Sequence, residues 1–454
     1  MKVSFMTWKL AARIFAAFGY ALFIFYAFCS DARAHDVPAS NVLLDIGTYS
    51  VNAEIELPLN ELREAVGIPA DTNAVQVISN YHTQVSNYIA AHIDIAAMDG
   101  ERYDKRVALL QSRQPRDNPL VIAQIDFTAP PGVPTSKFVF HYDAIVADVV
   151  THNVLVSVRR DFRNGVFSDI FGGDKPIIIG LMHYQKKQLT VDGSAGSWTQ
   201  GFDKVFRLGM QHIAEGIDHV LFLLVLLLSA PLGVSDHRWQ KIVGVKASAW
   251  KVVKIVSGFT LGHSITLVLG ALGFVSFPST IIEVLIALSI LVSALHALRP
   301  LFANREPVIA ALFGLVHGMA FAGSLSGFDY DSVALALAVL GFNLGIEAMQ
   351  LLIVALVLPS LLLMRVSPAY RYFRIAAATA VAVLALAWVA ERGLAMSNPL
   401  NAVGEWLTTH GLLAIALLGV FAIASRMQEF VRWWRTPFAG DRRIRVNLPD
   451  PFNP

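Results

Sequence analysis

The chain holds almost no cysteine: one in 454 residues, Cys29. That residue falls in an N-terminal segment expected to be removed, so the mature chain would carry neither a disulfide nor a thiolate metal site. Charge is sparse as well. Asp, Glu, Lys and Arg make up 15% of the residues and the formal net charge is +2, so nothing suggests a nucleic-acid partner. No serine–histidine triad signature, phosphate-binding glycine loop or dinucleotide fingerprint is present. What the chain has instead is apolar residues, 55% of the total. That is too many for one ordinary soluble domain and suits a polytopic membrane protein in contact with lipid.

Lys2, Lys9 and Arg13 precede the apolar run Ile14–Phe28, and Ala32-Arg33-Ala34 fits the small-x-small cleavage rule. Residues 1–34 therefore read as a signal peptide cut before His35. A free α-amine beside the His35 imidazole would be able to chelate a metal, copper(II) above all. Residues 35–204 read as an extracytoplasmic α+β, sheet-rich domain. Ser40–Leu57 suggests two strands turning at Gly47, Pro58–Val66 and Thr72–Ala91 suggest helices, and four further strands are expected at Val121–Phe127, Lys137–Ala144, Asn153–Arg159 and Pro176–Tyr184.

Residues 205–426 repeat hydrophobic runs of spanning length, and seven transmembrane helices are expected. They are Phe206–Leu228, Val252–Phe274, Thr280–Leu298, Val308–Leu325, Ser332–Leu358, Ile375–Ala390 and Gly411–Ser425. Lysine and arginine crowd the loops after the first, third, fifth and seventh runs, from Arg238 and Lys241 to Arg442 and Arg443. The loops Val275–Ser279 and Ser326–Asp331 have none. The positive-inside rule then puts the N-terminal domain outside and the tail, 427–454, in the cytoplasm, with Trp433 and Trp434 as interfacial anchors.

The first run, FRLGMQHIAEGIDHVLFLLVLLL, carries His212, Glu215, Asp218 and His219. Hydrocarbon excludes such groups unless they face protein, pair, or bind an ion. On a continuous helix His212 and His219 stand two turns apart on one face, with Glu215 and Gly216 between them. His263, His317 and Glu347 recur at comparable depth in later runs. Thr260, Ser264, Asn343 and Gln350 are their polar neighbours. Glycines four apart, Gly258/Gly262, Gly314/Gly318 and Gly341/Gly345, flank these residues and permit close helix approach, as do Gly209 and Gly216. The expected site is a metal held by His212, Asp218, His219, His263, His317 and Glu347. Such nitrogen and oxygen donors suit nickel, cobalt, zinc or copper(II). A plain alternative is a hydrogen-bonded histidine lock between helices.

The run Gly209, His212, Gly216, Asp218, His219, Leu221, Phe222, Leu223, Leu224 resembles the HupE/UreJ family of bacterial membrane proteins. The fragments FTLGHSITL (Phe259–Leu267), FGLVHGMAFA (Phe313–Ala322) and FNLGIEAMQL (Phe342–Leu351) are similar to it as well. The resemblance implies a multi-pass bacterial inner-membrane protein, of the branch with an N-terminal extracytoplasmic domain, and a nickel or cobalt permease. Two alternatives stay open: a membrane-embedded zinc-dependent hydrolase, with Glu347 or Asp218 as general base, and a non-transporting structural or sensory protein.

Overall fold

Alternating apolar residues build the first strands of the outer domain, β1 (Ala39–Ile46) and β2 (Ser50–Pro58). Val42, Leu44, Val51 and Ile55 point inward and are fully buried. The computed structural model describes residues 39–113, 119–168, 175–272, 274, 278–325 and 332–435. The expected signal peptide, Cys29, His35 and the end of the tail lie outside them.

After β2 come α1 (Leu59–Val66), α2 (Ala74–Asn80), α3 (His82–His92), β3 (Ile93–Ala96), β4 (Asp104–Arg113) and β5 (Leu120–Thr128). Then follow β6 (Lys137–Tyr142), β7 (Asn153–Asp161), β8 (Val166–Phe167), β9 (Ile177–Met182) and β10 (Gln188–Asp192). The main sheet has the order β4-β5-β2-β1-β7-β8, with β9 also on β7, and β1–β7 is its parallel pair. A second sheet, β10-β6-β3, packs with Leu62, Val77, Val85 and Ile89 of the helices into the same core. The expected helix Thr72–Ala91 is two helices that part at Tyr81. A reciprocal capping box between Asn73 and Gln76 starts the first of them. Arg159 ties three strands together, reaching Asp45 at 2.7 Å and Glu54 at 2.8 Å.

Ser197 caps α4 (Trp198–Glu215) by accepting from the Gln200 N–H. The helix is seated on the outer domain: Trp198 lies 5.5 Å from Phe162, and a Cβ on Gly201 would strike the Phe162 carbonyl. α5 (Ile217–Ser229) follows after a 70° bend at Gly216. The first expected span is therefore two half-helices, and glycine, a poor helix former at mid-span, marks the joint. A hairpin comes next, β11 (Leu232–Ser235) with β12 (Arg238–Ile242). The remaining helices are α6 (Val245–Ala271), α7 (Ser279–Leu298), α8 (Glu306–Leu325), α9 (Ser332–Met364), α10 (Ala369–Leu394), α11 (Asn401–Thr409) and α12 (Gly411–Arg435).

Among the described residues, four helical stretches are long and apolar enough to cross a membrane: Val245–Gly270, Ser279–Leu298, Val333–Met364 and Ala369–Leu394. The bent pair α4–α5, and a second one at 79° formed by Asn401–Leu407 and Gly411–Met427, bring the total to six. Glu306–Ala320 is apolar but shorter. The helices run back and forth between the outer domain and the hairpin. At the hairpin end Trp239 donates to the His296 carbonyl, Arg365 to the Val243 carbonyl and Tyr370 to the Leu228 carbonyl.

Two glycine-lined crossings hold the bundle. A Cβ on Gly262 would collide with the Ala311 carbonyl, and one on Gly314 with the Phe259 carbonyl, so α6 and α8 touch backbone to backbone. Gly209 against Phe342 and Gly345 against Phe206 do the same for α4 and α9. Gly258 faces Pro307, Gly318 faces His263 and Gly341 faces Phe202. At Gly209, Gly258, Gly262, Gly314, Gly318 and Gly345 a Cβ would strike the backbone of the facing helix, whereas Gly216 meets His212 and His219 of its own bent span.

Candidate metal centre

The bend at Gly216 brings the last turn of α4 to the first turn of α5. Seven residues of straight helix would hold His212 and His219 about 10 Å apart along the axis. Their ring centroids are instead 4.7 Å apart. A Cβ at position 216 would sit 2.7 Å from His219 Nδ1 and 3.3 Å from Asp218 Oδ1, so only glycine fits the joint without crowding the site. Broken helices of this kind expose backbone dipole ends at membrane depth and are tolerated where they are buried in protein or line a cavity.

The close α6–α8 crossing delivers two more histidines. His263 stands on α6 with its ring 6.2 Å from that of His212, and His317 on α8 with its ring 4.9 Å from that of His219. Two donor groups result, and they share His219. One is His212, His219 and His263; the other is Asp218, His219 and His317. Within each group one ligand atom per residue lies within 4.8 Å of the others. A cation with bonds of about 2.1 Å needs its donors some 3–4 Å apart, so each group would close by roughly an ångström around it.

The donors sit among rings, with His219, His263 and His317 buried and His212 and Asp218 part-buried. Phe259 lies 6.0 Å from His219 and 5.2 Å from His317, Phe342 lies 5.5 Å from His212, and Phe222 closes the side toward His317. His263 is 0% exposed, and the Asn343 side chain is the polar group beside a ring whose nitrogens make no well-formed hydrogen bond among the described residues. His219 Nε2 and His317 Nδ1 make none either. His219 Nδ1 lies 2.9 Å from Asp218 Oδ1, and His317 Nε2 shares a 3.0 Å hydrogen bond with Ser289 Oγ. A carboxylate and a hydroxyl behind two imidazoles are the partners that orient metal-binding histidines. Burying polar nitrogens without a partner is costly; a bound cation would use them. The donor set and its burial fit a divalent metal.

The other expected residues fall elsewhere. Glu347 is half-buried and accepts from Ser257 Oγ at 2.6 Å, outside both donor groups. Glu215 is exposed and bonded to Gln211 at 2.7 Å. Thr260 donates to Gln350 at 3.3 Å, a polar tie between α6 and α9. Ser264 returns its hydroxyl to the Thr260 carbonyl, and Asn343 donates to the Val339 carbonyl from a position beside His263. Ser289 is a polar residue within the third apolar run, and the fold places it behind His317.

Against this geometry, the family model described as HupE / UreJ protein matches residues 185–392. That segment of the chain is of the HupE/UreJ family. The match takes in both donor groups and every helix that carries them. HupE/UreJ proteins are associated in general with nickel and cobalt transport, and the family match together with the apolar helices supports a membrane location. No curated protein matches the chain significantly.

Proposed function

We propose that this HupE/UreJ protein is a divalent-cation permease, with nickel or cobalt as cargo and the two donor groups as its intramembrane station. The observation that carries the reading is the sharing of His219 between the groups at the break of a helix. A cation could pass from the three-histidine group to the mixed group by exchanging His212 and His263 for Asp218 and His317, without leaving His219. Mixed imidazole and carboxylate donors suit a station that must release as well as bind.

In this reading α8 and the two bent pairs also cross the bilayer, giving seven spans. The outer domain is extracytoplasmic, as in the branch of the family that has one, and the lysine- and arginine-rich hairpin end faces the cytoplasm of a bacterial inner membrane. Zinc is a further candidate for the same donors.

The test is cobalt titration of the purified full-length protein, followed by visible absorption, beside uptake into proteoliposomes. The expected result is saturable binding of cobalt with spectral bands of nitrogen ligation, and uptake that disappears in His219→Ala. Absence of both binding and uptake would leave the helix lock. A tightly held, non-exchanging zinc with hydrolytic turnover would favour the metallohydrolase.

A further inference from the structure

A second buried polar cluster lies at the hairpin end, away from the histidine station. Glu306, the first residue of α8, is 1% exposed and its carboxylate is 2.7 Å from Lys251 Nζ on α6. His296, on the last turn of α7, is fully buried, with Nε2 3.7 Å from the same carboxylate oxygen. His296 Nδ1 accepts the backbone N–H groups of Leu301 at 3.1 Å and Phe302 at 3.3 Å. That nitrogen must therefore present its lone pair inward, so the neutral ring carries its proton on Nε2. It can donate to Glu306 but offers it no second ligand. The β12 residue Trp239 lies over the ion pair, its ring 5.2 Å from Lys251 Nζ and its indole N–H on the His296 carbonyl.

Polar side chains on α7 lie between the two clusters. Ser289, bonded to His317, is followed at four and seven residues by Ser293 and His296, on one face of α7 and all buried. Ser293 donates to the Ser289 carbonyl at 2.8 Å. Glu306 and His317 stand on one helix, eleven residues or about 16 Å apart. The face of α7 in between spans most of that distance.

We propose that Glu306 is a second, weaker cation station on the way out of the bundle, and that the Lys251 ammonium is its tethered occupant until a divalent cation arrives. The proposal rests on the permease reading. A single carboxylate with no imidazole lone pair holds nickel or cobalt far less firmly than three nitrogens do, so the order of the stations favours release. Lys251 is half-buried, and its long stem lets the ammonium swing to water when a cation takes its place. Replacing a buried ion pair by neutral groups of similar volume is tolerated by many proteins, so the cluster need not be a stability device.

The test uses full-length protein in liposomes holding a cobalt-sensitive dye. Glu306→Gln is expected to lower initial cobalt uptake at least about tenfold while the cobalt affinity of the histidine station stays within about twofold. A Ser293→Cys reporter in a Cys29→Ser background, treated with a water-soluble maleimide, reads the path directly. Saturating cobalt is expected to speed its labelling about tenfold or more, Lys251→Met to do so without cobalt, and added Glu306→Gln to abolish the cobalt response. Lys251→Met/Glu306→Gln, with neutral groups on both sides, controls for folding. Wild-type uptake in Glu306→Gln, or labelling indifferent to both cobalt and Lys251, would overturn the proposal and leave the permease standing. Labelling that responds as expected in a protein that takes up no cobalt would retain Glu306 and remove the permease.

Discussion

Buried histidines occur in both halves of the molecule, and they are finished differently. In the outer domain His152 is 1% exposed, with Nε2 2.8 Å from Ser40 Oγ and Nδ1 2.5 Å from Glu61. Tyr142 donates to the same serine at 3.1 Å. The order serine, histidine, carboxylate has the look of a hydrolytic triad, but the Ser40 hydroxyl is wholly buried and already accepts from the tyrosine. Each ring nitrogen of His152 faces one polar neighbour, Ser40 Oγ or the Glu61 carboxylate, so the network gathers β1, β6 and α1 around the residue that precedes β7. In the bundle the rings of His219, His263 and His317 keep nitrogens with no hydrogen-bond partner among the described residues, and each ring offers a ligand atom to a shared donor group. Burial alone does not make a histidine a ligand; unspent, convergent lone pairs do.

The comparison breaks most sharply at His219. His219→Ala removes the one donor common to both groups, and cobalt affinity is expected to fall more than about 100-fold, beyond the ~10–100-fold that loss of an outer partner costs. His152→Ala is expected to leave it unchanged. Equal cobalt affinity in wild type and His219→Ala, by titration calorimetry, would put the bundle histidines in the same class as His152.

Asp218→Asn comes next. The carboxylate lies against His219 Nδ1 and completes the second group, so a loss of roughly 10–100-fold is expected. Glu347→Gln sets the contrast. Its carboxylate accepts from Ser257 away from the donors, and a change of no more than about twofold, under ~0.5 kcal/mol, is expected. A loss for Glu347→Gln as large as that for Asp218→Asn would return Glu347 to the ligand set.

Gly262→Val tests whether the α6–α8 crossing delivers the second pair of histidines. The added side chain meets the Ala311 carbonyl, and overpacking of this kind costs typically about 1–3 kcal/mol. Forcing the helices apart is expected to lower both the thermal midpoint and the cobalt affinity, although no donor is touched. A lower midpoint with intact affinity would mean that the donors are placed independently of that crossing.

How much of this was open to reading depended on what the sequence writes locally. Hydropathy and loop charge marked the helices of residues 205–426, and the alternation in Val42, Leu44, Val51 and Ile55 marked the first strands. The strands β3, β4, β8 and β10 went unread because they are short or open on a run of charge, as in Asp104, Lys105 and Arg106. The hairpin β11–β12 read as a basic loop, since Trp239 is the single buried residue on its second strand. The break at Gly216 was hidden because a glycine in an apolar run of helical period is no punctuation by itself. Asp218 two residues later, in the first turn of a new helix where an acid faces the positive end of the helix dipole, was the available signal. Which histidines point at one another is set by packing between helices whose histidines are about 50 to 100 residues apart in sequence, and no local pattern encodes it.

The last test separates the two networks by pH. Burial pushes the His152 imidazole down to about 4 from its ordinary 6.5, and burial with the nearby Glu64 pushes the Glu61 carboxyl up from 4.5. The signs oppose. A histidine with a depressed value costs the folded domain stability as pH falls from 6.5 toward 4, because the unfolded chain takes the proton first. A carboxyl with a raised value contributes stability below 4.5 that is lost as pH rises through its folded value. In wild type the two slopes partly cancel. Glu61→Gln leaves His152 alone, so the outer domain should lose up to about 3 kcal/mol between pH 6.5 and 4. His152→Gln leaves Glu61 alone and should reverse the slope, with stability falling as pH rises above 4.5. Hydrogen exchange of the β1 and β7 amides in the full-length protein, corrected for the intrinsic rate, measures both. A flat profile in Glu61→Gln would show that the ring of His152 takes up its proton without penalty, and the outer network would then not be the sealed, fully spent counterpart of the bundle histidines.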